Sequence, residues 1–138
     1  MSAGDSNVTN LVASGVVDGV TFKVNGSSKA MFAEETLQNL VADGAITVKN
    51  GVCKIAKTVA GVVAATLANP TDVTDDFKRL LIISNQAQAN TVTVTGGFGN
   101  GGSGKDVCTF AGAVGNCIEL VAYGGYWYVT GGDGYTLA

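Results

Sequence analysis

The chain contains no histidine. Nucleophilic sites of the Ser-His and Cys-His kinds are therefore excluded, as are metal sites built on imidazole. Proline occurs once, at Pro70, and charged residues make up only 14% of the 138 positions. Long stretches of Leu, Glu, Lys and Arg, the residues that fill helices, are nearly missing. No run of 18 apolar residues occurs, so no membrane insertion is expected. The stretch 11–20 is broken by Ser14, Gly15, Asp18 and Gly19 and follows no basic region, so it does not read as a secretion signal. Basic charge is also scarce. The net charge of −3 is the wrong balance for a nucleic-acid partner, which needs a concentrated cationic surface.

What remains is small and β-forming. Hydrophobic residues supply 46% of the chain and glycine 20 positions, with threonine and valine abundant. That profile favours many short strands joined by glycine turns. Small side chains make a thin core per chain, so burial between subunits becomes attractive. Three cysteines, Cys53, Cys108 and Cys117, are an odd number without Cys-x-x-Cys spacing. They are expected as reduced, buried groups in a protein made in a cytosol, although Cys108 and Cys117 could pair across adjacent strands. Of the ten aromatic residues, eight follow Val62, so the second half should hold the better core.

Along the chain, residues 1–15 read as a polar arm, 16–24 as a strand and Asn25-Gly26 as a turn. One short helix is predicted over 34–42. Glu34 and Glu35 sit in its first turn, Leu37, Leu40 and Val41 form its apolar stripe, and Gly44 follows its end. Asn50-Gly51 between Ile46-Thr47-Val48 and Val52-Cys53-Lys54-Ile55 predicts a hairpin. Further strands are expected at 62–67, 80–83, 91–95, 106–110, 118–123 and 126–130, the last two joined by Gly124-Gly125. Leu80-Leu81-Ile82-Ile83 is apolar on both faces and should be buried on both. The fold class expected is mainly β with one short helix. Residues 1–60 would form an N-terminal base and 61–138 a small antiparallel sandwich or barrel-like module.

Several motifs look chemical. Gly99-Asn100-Gly101-Gly102-Ser103-Gly104-Lys105 matches the start of a phosphate-binding loop, but Asp106 stands where a Mg²⁺-holding hydroxyl belongs, and a strand follows instead of a helix. The same glycines satisfy a dinucleotide fingerprint with no βαβ unit to carry it. Asp72, Asp75 and Asp76 have the oxygen chemistry of a weak Ca²⁺ site, yet loops carry such residues as solvated turn formers. Tyr123, Tyr126 and Tyr128 could form an exposed strip for sugar binding or pack between subunits. The expectation is no enzyme: no catalytic, cofactor-binding or metal-binding residue.

The second half resembles a module of bacteriophage head-decoration, head-fibre and tail-fibre proteins. The likeness is carried by Arg79-Leu80-Leu81-Ile82-Ile83-Ser84, Ala89-Asn90-Thr91-Val92-Thr93-Val94-Thr95-Gly96 and Asp106-Val107-Cys108-Thr109-Phe110. It continues through Gly115-x-x-Ile118-x-Leu120-x-x-x-x-Gly125-x-Trp127, and spans residues 62–132. It implies a buried Trp127 and an intertwined homotrimer. It further implies a structural virion protein on the capsid exterior, made in the bacterial host cytoplasm, with the major capsid protein as its partner. Residues 1–60 would then attach to the shell. The alternative within this likeness is a tail-fibre or receptor-binding tip that recognises host-surface glycans.

Overall fold

A computed structural model describes residues 37–99 and 104–138. The polar arm, the strand at 16–24, the Asn25-Gly26 turn and the first residues of the expected helix lie outside that range. Within it the chain is all β: β1 (Gln38–Leu40), β2 (Gly44–Ile46), β3 (Gly51–Ile55), β4 (Ala64–Leu67), β5 (Arg79–Ser84), β6 (Thr91–Val94), β7 (Val107–Phe110), β8 (Asn116–Tyr123), β9 (Tyr126–Asp133) and β10 (Tyr135–Leu137). They build two mixed five-stranded sheets that do not close into a barrel. One has the order β1-β3-β5-β8-β9, the other β10-β7-β6-β4-β2.

From β1 to β6 the chain changes sheet at every step. Successive strands of one sheet are therefore separated by a strand of the other, which carries the chain back to its starting side. Their pairing is parallel: Gln38 opposes Cys53, Cys53 opposes Ile82, and Ala65 lies between Gly44 and Val92. Parallel strands need a crossover, commonly a helix; here the opposite sheet supplies it. After β6 the chain runs antiparallel, and β7, β8, β9 and β10 each pair with a neighbour in the opposite sense. The expected antiparallel module, 61–138, thus contains one parallel pairing, β4 with β6, and is joined in parallel to β2 and β3.

Three further expectations are corrected. The part of the predicted helix that lies in view, 37–42, holds strand β1, and no helix occurs among the described residues. Leu40 is buried while Leu37 and Val41 are exposed, so the stripe that suggested a helix is not one face. Asn50-Gly51 makes no hairpin, because β2 and β3 belong to different sheets. Gly51 does adopt φ 121°, and the Asn50 side-chain oxygen accepts from the Arg79 backbone N–H at 2.8 Å, which ties the crossing to β5. Finally, the sheets run across residue 60. β3 is hydrogen-bonded to β5 and β2 to β4, so the described chain has no boundary there.

Alternating side chains place one face of each sheet inward. Cys53, Ile55, Leu80, Ile82, Ile118, Leu120, Ala122 and Trp127 from the first sheet meet Ile46, Ala65, Leu67, Val92, Val94, Cys108 and Phe110 from the second in one hydrophobic cluster. Trp127 is fully buried, as its position in the sequence pattern implied, and its indole N–H donates to the Ala68 carbonyl at 2.9 Å. A polar knot closes one end of the core. Fully buried Asn90 accepts from the Val63 N–H at 2.7 Å and from Gln86 at 2.8 Å, and donates to Ser84 Oγ at 2.9 Å.

Candidate functional site

The outward faces of the two sheets differ in chemistry. On the second sheet Thr66 stands beside Thr93, and Thr109 lies between Thr91 and Thr136, a hydroxyl-covered surface. On the first sheet the outward positions mix apolar side chains with the charged Lys54, Arg79 and Glu119. Val52 opposes Leu81, Lys54 opposes Ile83, Ile83 opposes Cys117, and Val121 opposes Tyr128. Leu81 and Ile83 are only half-buried, so the strand expected to be covered on both faces is covered on one. Charge lies within this surface, Glu119 opposite Leu81 and Arg79 opposite Val121: Arg79 Nη1 is 3.4 Å from Glu119 Oε1, in an open cleft of about 450 Å³ that also touches Asn50, Gly51 and Leu81. An exposed pair of this kind contributes little stability.

A second surface lies where the β8–β9 hairpin meets the long connection between β4 and β5. Gly124 and Gly125, at φ 56° and 78°, form the tight two-residue turn that their sequence predicted. Tyr123 and Tyr126 face each other across it, both about half exposed. The connection 68–78 is pinned against this hairpin. The Phe77 N–H donates to the Ala122 carbonyl at 2.7 Å, the Ala122 N–H to the Lys78 carbonyl at 2.9 Å, and the Gly124 N–H to Asp76 Oδ1 at 2.9 Å. Asp75 fastens the loop internally, accepting from the Thr71 N–H at 2.7 Å and pairing with Lys78 Nζ at 2.7 Å. Those partners, Lys78 foremost, hold the Asp75 carboxyl below the usual carboxylate range.

Most residues singled out by their chemistry are dispersed or engaged. Asp72, Asp75 and Asp76 do not converge; among the described residues no group of three His, Cys, Asp or Glu could hold a metal ion. Lys105 Nζ donates to the Leu137 carbonyl at 3.2 Å, and the start of the glycine-rich loop is stitched to β9 by Gly99 N–H to the Trp127 carbonyl at 2.9 Å. A Cβ at 99 would sit 2.6 Å from the Tyr128 ring, so any larger residue there must push that ring aside. Residues 100–103 lie outside the described range. Tyr128 is thus a half-buried lid over backbone, and the expected three-tyrosine strip reduces to Tyr123 and Tyr126. Phe77, distant in sequence and unmarked by any motif, joins them.

All three cysteines are free. Burial pushes the Cys108 thiol up to about 12 and the Cys53 thiol up to about 11, the latter opposed in part by Lys49. Cys108 points into the core and Cys117 outward from the other sheet, which separates them. No protein-family model matches the chain, and a search of curated proteins returns no match.

Proposed function

We propose that this protein is a non-enzymatic structural component of a bacteriophage particle that binds the outer surface of the capsid as a homotrimer, cementing or decorating it. The observation that carries the reading is the outward face of the first sheet. Val52, Leu81, Ile83, Val121 and Tyr128 present half-buried apolar side chains there, interspersed with Lys54, Arg79 and Glu119, on a chain whose other sheet face is largely threonine. Half-exposed apolar side chains with a few charges among them suit a subunit interface, and a second and third copy of the same chain cover them most economically through closed symmetry. The resemblance of residues 62–132 to phage decoration and fibre modules supports the same assembly. Three linked shell contacts then raise avidity well above that of one copy, with the capsid protein as partner.

Sedimentation equilibrium of the full chain tests the trimer: the expected mass is three times that of the 13.9 kDa chain. A stable monomer at micromolar concentration overturns it. Immunogold microscopy of particles carrying the protein tests the location. Gold on the head supports decoration, gold at the tail tip replaces it with the fibre-tip reading, and unlabelled particles overturn both.

A further inference from the structure

We propose that the apex formed by loop 70–78 and the β8–β9 turn is a binding site for a neutral sugar ring, with Phe77, Tyr123 and Tyr126 as the stacking surface and Asp72 and Asp76 as hydrogen-bond acceptors. The first support is conformational. Val73 and Phe77 both sit in the left-handed region, at φ 66° and 68°. A β-branched or bulky residue there is strained, and such strain persists where the surrounding structure imposes it. Both residues nevertheless point to solvent, at 80% and 67% exposure, so burial does not compensate for the strain. The hydrogen bonds from Phe77, Ala122 and Gly124 hold this conformation and present the side chains outward.

The second support is chemical. The Phe77 and Tyr123 rings lie 5.9 Å apart at 40°, leaving a bent aromatic surface continued by Tyr126 across the turn. Carboxylates flank it: Asp76 is fixed at Gly124, and Asp72 lies against Gly125, where an added Cβ would meet its own Cβ at 3.9 Å. The neighbouring cation, Lys78, is engaged by Asp75. A protein partner would have to desolvate these acids, which is costly and depletes them from interface cores. A pyranose instead offers an apolar C–H face to the rings and hydroxyl donors to the carboxylates. The unbalanced negative charge disfavours an acidic sugar. The site does not require the trimer, so it stands or falls separately.

The test is saturation-transfer NMR on the full chain with methyl glucoside, methyl galactoside, methyl mannoside, N-acetylglucosamine and sialyllactose at millimolar concentration. Transfer to the ring C–H protons of at least one neutral sugar is expected. Phe77→Ala and Tyr123→Ala should each weaken it about tenfold or more, while Thr93→Ala on the opposite sheet leaves it unchanged. Trp127 fluorescence and melting confirm that each variant is folded. Absence of transfer from every sugar, transfer only to sialyllactose, or binding indifferent to Phe77→Ala overturns the proposal. So does a Phe77→Ala protein that changes subunit number without any sugar binding in the parent, which makes the apex a subunit contact.

Discussion

At the scale of single residues, the core depends on a few side chains that cannot be replaced in kind. Trp127 fills the centre of the hydrophobic cluster and also satisfies the Ala68 carbonyl. Trp127→Ala is expected to cost about 3–5 kcal/mol, read as a fall in denaturant midpoint at unchanged slope. Asn90 matters for the opposite reason: it is polar and fully buried. Asn90→Leu leaves the Val63 N–H without its acceptor, at a cost of about 1–3 kcal/mol, and thermal melting would reveal it. Asp75 gives a pH signature. Its folded pKa is depressed, so its stabilisation is present above the unfolded value of about 3.9 and is lost as pH falls through the folded value. Asp75→Asn should melt below the parent at pH 7, and the two should converge in acid. A constant gap across that range would show that the charge is not the cause.

At the scale of elements, the sequence conveyed strands well and partners poorly. Alternation at Thr91–Val94, in residues 106–110 and through Ile118 and Leu120 located β6, β7 and β8, because period 2 is local. The two-residue turn at Gly124-Gly125 was equally local. Asn50-Gly51 misled because a glycine with positive φ serves a crossing between sheets as well as a hairpin, and only β5, some 29 residues on, decides which. The segment 37–42 misled because three residues of β1 are too few to show a period, so the helix-like spacing of Leu37, Leu40 and Val41 dominated. β10 was missed for the same brevity. The apex was half visible: two tyrosines bracket a legible turn, but Phe77 reaches them through backbone hydrogen bonds that no side-chain pattern encodes. One expectation follows from β3. Residues 61–138 alone would lose Cys53 and Ile55 from the core and strip β5 of its parallel neighbour. Such a fragment should lack a cooperative melting transition; a sharp one would show that β3 is dispensable.

At the scale of the whole molecule, the proposed trimer puts the first sheet's mixed apolar face inside and the second sheet's threonine face outside. Leu81→Asp is expected to leave the chain folded and monomeric, because it places charge on the surface without touching the core. Cys117 reports the same event. It lies on that face opposite Ile83, so a thiol reagent should reach it slowly in the parent and quickly in Leu81→Asp. Cys53 and Cys108, buried and held as thiols, stay silent until unfolding. The alternation of β1 to β6 between sheets has a further consequence, for how such a chain can change length. Each circuit adds one strand to each sheet and contacts only the circuits beside it, so circuits behave as nearest-neighbour units. Duplication of one whole circuit would lengthen both walls by one strand and leave the antiparallel end, with its turn and apex, as it was. Growth by counting is open to this architecture, whereas an insertion inside β8 or β9 would shift every pairing downstream.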